Sequence, residues 1–104
     1  MIAVTFCYRA EIEMDEDYYF NSHLPFARSA MSSLGIRRIE VRKAIGALDG
    51  SPARHQMLAA LYFDSMDAFQ DAMELPLCKQ AIADISNYYG GMPDIQFSTV
   101  IWEI

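Results

Sequence analysis

The chain has 104 residues, of which 53% are hydrophobic and 21% are charged, and this composition predicts one folded domain over residues 1–104. Its 14 acidic and 8 basic residues give a formal net charge of -6, which repels phosphate groups, so we expect neither a nucleic-acid nor a membrane partner. Two cysteines are too few for a disulfide scaffold, and the first residues lack the pattern of an export signal. We therefore expect a cytoplasmic protein.

The first half of the chain predicts a strand, a helix and a second strand. Residues 2–8 form a continuous run of β-branched, aromatic and small apolar side chains, typical of a strand buried on both faces. Asp15 can cap a helix that continues to about Ser33, and Gly35 can supply its left-handed stop. Between residues 36 and 45 apolar side chains alternate with charged ones, which predicts a half-exposed strand.

The second half predicts a strand, an interrupted helix and a last strand. Turn-forming residues lead into an apolar run at 55–64, so the second and third strands should form an antiparallel hairpin. Ser65 can cap the next helix, which Pro76 ends or kinks before it resumes. An irregular loop at 87–93 precedes alternating residues at 94–104, which predict the fourth strand. The inward positions predicted for the two helical segments are Phe69, Ala72, Met73, Leu77, Ala81, Ile82 and Ile85.

The order β-α-β-β-α-β predicts a ferredoxin-like α+β fold, with a four-stranded antiparallel sheet and both helices on one face. Strands one, three and four carry apolar side chains on both sides, and two helices can cover only one face of the sheet. A second copy of the chain would cover the other face, so we expect a homodimer that packs sheet to sheet.

A histidine lies in the apolar stripe of the first helix. His23 is followed by Pro25, which has no amide hydrogen, so the helix should bend near the imidazole. In an apolar pocket desolvation favours the neutral imidazole, which can act as a base. The alternative is that His23 hydrogen-bonds a carbonyl released by Pro25, or a neighbouring tyrosine, and only stabilises the bend. The stripe consists of Tyr19, His23, Phe26 or Ala27, Ala30 and Leu34.

Other candidate residues have equally ordinary structural explanations. His55 begins the third strand, where it either faces a site or is a hydrogen-bonded cap of the sheet. The two tyrosine pairs at 18–19 and 88–89 suit an aromatic ligand, although packing would also explain them. Neither histidine has a partner at metal-ligand spacing, and no nucleotide-binding fingerprint is present, so we expect no metal and no cofactor.

Five segments match the pattern of a known family in order and spacing. They are YYFNSHLPFA at 18–27, GIRRIEV at 35–41, DGSPARH at 49–55, LYFDSMDAF at 61–69 and SNYY at 86–89. Through them the chain resembles, over nearly its whole length, the EthD-type members of the dimeric α+β barrel superfamily. The resemblance implies a ferredoxin-like monomer, a barrel-like homodimer and a pocket between the first helix and the sheet. Such relatives include cofactor-free monooxygenases, muconolactone-type isomerases and proteins associated with ether degradation.

The resemblance also implies site residues. The histidine of the family's H-x-P motif corresponds to His23, and its loop aromatics fall near Tyr88 and Tyr89. The family's frequent Pro-Asn-Phe pattern reads Ser86, Asn87 and Tyr88 here, so the conformation of this loop does not carry over. Some barrels of the wider superfamily bind haem, and only His23 could serve as its axial ligand.

Two hypotheses for the function follow. The first is a cofactor-independent enzyme, an oxidoreductase of the monooxygenase type or an isomerase, which acts on a small apolar carbonyl, lactone or phenolic compound with His23 as the proton-transfer group. The second is a non-catalytic module that binds a small molecule or a partner with the same dimeric barrel. A partner on one imidazole nitrogen, with the other facing an open cavity, would favour the enzyme, whereas a filled cavity would favour the module. The substrate-binding residues expected are Tyr19, Phe26, His55, Tyr88 and Tyr89.

Overall fold

A computed structural model describes residues 1–32 and 35–104. The strands are β1 (Ile2–Arg9), β2 (Ile36–Lys43), β3 (His55–Phe63) and β4 (Asp94–Thr99). The helices are α1 (Glu16–Tyr18), α2 (Leu24–Met31), α3 (Met66–Met73) and α4 (Pro76–Ala83). A π-helical turn (Tyr19–His23) joins α1 to α2, and a 3₁₀ turn (Asp84–Asn87) follows α4. The predictions for Ser33 and Leu34 lie outside the described residues.

The four strands form one sheet in the order β2-β3-β1-β4, and every neighbouring pair is antiparallel. β2 and β3 form the predicted hairpin. The predicted ferredoxin-like α+β fold is therefore confirmed. None of the described helices combines the length and the apolarity needed to cross a membrane.

One face of the sheet carries the core. Cross-strand neighbours such as Val4 and Leu61, or Phe6 and Ala59, point to the helices and are buried. Burial of each such large side chain contributes about 1.5–3 kcal/mol from the hydrophobic effect. The largest fully buried side chains are Val4, Tyr8, Tyr19, Met57, Phe63, Cys78 and Ile85.

The opposite face of the sheet is less apolar than predicted. Its two central strands present mostly apolar side chains, such as Ala3 opposite Tyr62 and Cys7 opposite Leu58. The flanking strands present polar or charged side chains on this face. Ser98 of β4, for example, pairs with Ala3 and therefore lies on the same face as Ala3. The polar and charged residues of the flanking strands on this face are Arg38, Glu40 and Arg42 of β2 and Asp94, Gln96 and Ser98 of β4.

Two predicted helix caps are confirmed. The Asp15 carboxylate accepts a hydrogen bond from the amide of Tyr18 at 3.1 Å, and the Ser65 hydroxyl accepts one from the amide of Ala68 at 3.1 Å. Each side chain therefore satisfies an amide that the first helical turn leaves unpaired. Gly35 has the expected left-handed φ, 69°, but α2 ends earlier, at Met31, so its role as the stop of the helix stays a prediction.

The fourth strand ends at Thr99 and not at Ile104, so its predicted length is wrong. Thr99 pairs with Ile2, and the amide of Val100 bonds to the carbonyl of Met1, where the neighbouring strand begins. The side chains of Ile101, Trp102 and Ile104, which follow the strand, are exposed, at 90%, 78% and 111%.

The inward position predicted for Leu77 is also wrong. Leu77 is 50% exposed, whereas the adjacent Cys78 is 1% exposed. Pro76 lies in the first turn of α4, and the residue before it, Leu75, has an extended backbone that separates α4 from α3. The buried face of α4 is therefore not in phase with that of α3. The inward stripe runs through Cys78, Ala81 and Ile85, at helical spacing.

Candidate active site

The bend predicted near His23 takes the form of a π-helical turn. The amide of Leu24 donates to the carbonyl of Tyr19, five residues earlier, and Pro25 lies in the first turn of α2, where a missing amide hydrogen is tolerated. The rings of Tyr19 and His23 stack with their centroids 5.7 Å apart and their planes 14° apart. Such single π turns inside α-helices occur frequently at functional sites.

Asp84, at the start of the 3₁₀ turn, binds the inner edge of the imidazole. Its Oδ2 lies 3.0 Å from Nδ1 of His23. Its Oδ1 accepts hydrogen bonds from the hydroxyl of Tyr18 at 2.6 Å and from the side-chain amide of Asn87 at 2.9 Å. Both members of the pair are largely buried, with side-chain exposures of 9% for His23 and 17% for Asp84.

The charge of Asp84 follows from these contacts. Burial disfavours the ionised carboxyl, but the hydrogen bonds from Tyr18, Asn87 and His23 outweigh it and hold the pKa of Asp84 below its usual range. Asp84 is therefore a carboxylate that accepts hydrogen bonds only. In the neutral imidazole the proton must then lie on Nδ1, which leaves Nε2 with its lone pair.

The imidazole lines a cleft of about 1100 Å³ between the helices and the sheet. Within the described part of the chain, Nε2 of His23 has no hydrogen-bond partner. The cleft is lined mainly by apolar side chains, including Phe6, Leu24, Met31, Ile39, Val41 and Leu61. A basic nitrogen with a fixed tautomer thus meets a space that can hold a small apolar molecule.

A tyrosine cluster lies beside the imidazole. The ring centroid of Tyr88 is 4.6 Å from that of His23, and the hydroxyls of Tyr88 and Tyr8 are 2.5 Å apart. Burial raises the pKa of Tyr8 to about 12, and it also raises the pKa values of Tyr19 and Tyr88. These phenols are therefore neutral near pH 7 and cannot act as bases. The buried hydroxyl of Tyr19 has no hydrogen-bond partner among the described residues.

The structure brings some of the predicted site residues together and not others. Tyr19 lines the cleft with His23, and Tyr88 packs beside both rings. Phe26 is half-buried against the core and does not line the cleft. Tyr89 is buried away from it, and its hydroxyl accepts a hydrogen bond from the amide of Arg9 at 2.9 Å.

His55 lies elsewhere, at the start of β3. Its Nε2 is 3.4 Å from Oδ2 of Asp94, the first residue of β4, and it is not part of the cleft lining. This contact matches the alternative explanation of His55 as a hydrogen-bonded cap of the sheet. Among the described residues, no group of three or more His, Cys, Asp or Glu side chains could hold a metal ion.

Sequence reasoning missed Asp84 and Asn87 as site residues. Asp84 is separated from His23 by 61 positions, so no local motif connects them. One signal was available: Asp84 lies three residues after Ala81 and next to Ile85, so it places a carboxylate beside an inward apolar stripe. A charge in that position usually needs a buried partner.

Comparison with known proteins agrees with this fold. The chain is similar to an EthD-like protein from Ralstonia eutropha JMP134, with 27% identity and a TM-score of 0.83 over 99% of this chain and 94% of that one. It is similar to an ethyl tert-butyl ether D (EthD) family protein from Bacillus halodurans C-125, with 21% identity and a TM-score of 0.81 over 97% and 99%.

A more distant likeness extends to another group of proteins. The chain shares its fold with a candidate antibiotic biosynthesis monooxygenase from Deinococcus radiodurans, with 14% identity and a TM-score of 0.63 over 100% of this chain and 96% of that one. The model of the EthD domain matches residues 10–91, which include the π-helical turn and the Asp84 turn. The chain therefore belongs to the EthD family.

Proposed function

We propose that the chain is a cofactor-independent enzyme that transfers a proton on a small, largely apolar carbonyl, lactone or phenolic compound. The observation that carries the proposal is the His23 ring, which lines the cleft: its Nδ1 lies 3.0 Å from Oδ2 of Asp84, and its Nε2 has no hydrogen-bond partner among the described residues. This is the arrangement that distinguishes a general base from an imidazole that only stabilises a bend.

In the proposed step Nε2 of His23 takes a proton from a carbon next to the carbonyl, or from a phenolic oxygen. The electron pair stays on the substrate as an enolate or phenolate, and the imidazolium that forms is stabilised by the Asp84 carboxylate. An isomerase would return the proton to another carbon of the same molecule. A monooxygenase would instead let the carbanion react with O₂ as a co-reactant: a C–O bond forms to give a hydroperoxide, whose O–O bond then breaks to leave a C=O group on the substrate, and the second oxygen leaves as water. The monooxygenase name of the Deinococcus radiodurans neighbour is the reason to test this branch.

The tyrosine cluster has a supporting role in this proposal. Tyr19 stacks against one side of the imidazole and Tyr88 packs at 4.6 Å, so the ring is held in place by contacts as well as by Asp84. Their aromatic faces exclude water from the inner edge of the pair. Exclusion of water strengthens the interaction between the carboxylate and the imidazolium.

The proposal is tested by hydrogen–deuterium exchange in D₂O. A panel of small ketones and lactones is incubated with the protein, and loss of the signal of the C–H next to the carbonyl is followed by NMR. His23→Gln should reduce the exchange rate roughly 10²- to 10⁴-fold, while His55→Gln, outside the cleft, should leave it unchanged. A folded His23→Gln protein that exchanges at the wild-type rate would refute the proposal. Saturable binding in the cleft without any catalysed exchange would favour the non-catalytic binding module.

We also propose that the protein forms a homodimer. Phe97 and Ile95 of β4 are 50% and 41% exposed, and Trp102 beyond the strand is 78% exposed. Phe97 and Ile95 lie on the helix side of the sheet, opposite Val4 and Phe6, whereas the open face carries the apolar side chains of the two central strands. The chain therefore presents apolar side chains on both sides of the sheet, and a second copy would cover those of the open face. Light scattering at micromolar concentration should give twice the mass of the chain. A monomeric mass would refute this part of the proposal.

A further inference from the structure

The lining of the cleft differs in charge from the chain as a whole. The chain has 14 acidic residues, yet none of the described residues that line the cleft is an Asp or a Glu. Three of the lining residues are arginines, Arg28, Arg37 and Arg38. A negatively charged molecule that enters the cleft therefore meets no carboxylate in its lining, although the chain as a whole is acidic.

Two of these arginines are already paired within the chain. Arg37 donates to both carboxylate oxygens of Asp64, from Nε at 2.7 Å and from Nη2 at 3.1 Å. Arg38 pairs with Glu40 and lies over the ring of Tyr62, 5.7 Å from its centroid, so its guanidinium is on the opposite face of the sheet. Their charges are balanced, so neither guanidinium needs a ligand.

Arg28 differs from the other two. Within residues 1–32 and 35–104 it makes no ion pair and no side-chain hydrogen bond, and its side chain is exposed on α2. A competing explanation exists, because a cation in the last turn of a helix interacts favourably with the helix dipole. That explanation accounts for stability alone, and it does not account for the absence of carboxylates from the cleft lining.

We infer that the cleft takes ligands with an apolar body and a carboxylate at one end, and that Arg28 pairs with this carboxylate. A guanidinium presents two parallel donors that match the two oxygens of a carboxylate. The inference rests on the proposed function, since it names the substrate class of the same cleft.

The positions of the charges also orient such a ligand. Arg28 lies five residues after His23, which corresponds to about 7.5 Å along the helix axis. The negative charge of Asp84 sits directly behind the imidazole, so it repels a ligand carboxylate from that end. The ligand carboxylate therefore lies at the Arg28 end, and the apolar body, with the atom that loses a proton, lies at the His23 end.

The test compares two probes that differ in charge alone, 2-naphthoate and 2-naphthamide. Binding to the full chain is measured by NMR titration of the backbone amides that line the cleft. We expect the carboxylate to bind roughly tenfold more tightly than the amide, which corresponds to a charge-assisted bidentate contact. Arg28→Gln should abolish this preference, and Arg28→Lys should retain part of it. Arg54→Gln is the matched control, because it removes the same charge from an exposed position outside the cleft lining.

Several results would overturn the inference. They are equal binding of the two probes, no binding of either probe at millimolar concentration, and a preference that persists in Arg28→Gln. If Arg28 serves only the helix dipole, Arg28→Gln lowers the melting temperature and leaves the preference unchanged. His23→Gln should bind the probes with the wild-type preference, so a failure of the proton-transfer proposal does not alter this result.

Discussion

Replacement of Asp84 by Asn should change the tautomer of His23 without changing the shape of the site. In the wild type, Oδ1 of Asp84 accepts from Tyr18 at 2.6 Å and from Asn87 at 2.9 Å. The asparagine oxygen should occupy this position, since both neighbours are donors. Its amide nitrogen then takes the position of Oδ2, 3.0 Å from Nδ1 of His23. Nδ1 must now accept, so the proton of the neutral ring moves to Nε2.

The size of the effect follows from this inversion. A protonated Nε2 cannot take a proton from a substrate, and the equivalent Asp-to-Asn change in a Ser-His-Asp triad lowers kcat about 10⁴-fold for the same reason. We expect the exchange rate of Asp84→Asn to fall roughly 10²- to 10⁴-fold. Stability should fall by only about 1–2 kcal/mol, because each hydrogen bond persists in a neutral form.

The tautomer can be measured without a substrate. Long-range ¹H–¹⁵N NMR spectra at pH 8 distinguish the protonated nitrogen of a neutral imidazole from the unprotonated one. The wild type should show His23 protonated on Nδ1, and Asp84→Asn should show it protonated on Nε2. The matched control is Asp94→Asn, which removes the carboxylate next to His55 and should leave the His23 signals unchanged. A wild-type His23 protonated on Nε2 would refute the assignment of this residue as a base.

Three further predictions concern stability. The pKa of Asp84 is lower in the folded protein than the unfolded value of about 3.9. Its contribution to the free energy of unfolding is therefore complete above that value and is lost as the pH falls through the folded pKa. Urea denaturation at a series of pH values should show that stability falls more steeply below about pH 4 in the wild type than in Asp84→Asn. An equal loss in both proteins would contradict this. Tyr19→Phe removes a buried hydroxyl with no partner in the described structure and should raise stability by about 1 kcal/mol or more in thermal unfolding. A loss of stability would refute this and show that the hydroxyl is hydrogen-bonded. Phe63→Ala leaves a cavity at a fully buried position and should cost about 3–5 kcal/mol, whereas a loss below about 1 kcal/mol would show that the core can collapse around it.

Local signals predicted most of the fold. The caps at Asp15 and Ser65 act through amides within the first helical turn, so a few neighbouring residues suffice to recognise them. The length of the fourth strand depends instead on a partner: Thr99 is its last residue because β1 begins opposite it, at Ile2. Alternation in residues 100–104 could not reveal where that partner starts.

The candidate site also combines a residue that a short segment of sequence predicts, His23, with one that only the tertiary fold brings to it, Asp84. His23 was predicted because an imidazole in an apolar stripe next to a proline is visible in a short segment of sequence. Asp84 belongs to a helical segment that crosses over the sheet and returns to the first helix, and only the tertiary fold sets their distance at 3.0 Å. The role of Arg28 was equally hidden, because an exposed arginine on a helix is unremarkable until the charges of the whole cleft lining are compared.

The π-helical turn determines which changes in chain length the site can accept. Residues 20–22 lie between the stacked rings of Tyr19 and His23, and all three are exposed. Substitutions of Asn21 and Ser22 should be well tolerated because both residues are exposed, whereas Phe20 also lines the cleft and packs on Tyr19. Deletion of one of them would convert the turn to an ordinary α-helix and rotate all preceding residues by about 100° relative to α2. Tyr18 and Tyr19 would then leave the Asp84 and His23 side of the helix, so members of the family that retain this site should vary in sequence at positions 21 and 22 but not in the length of the turn.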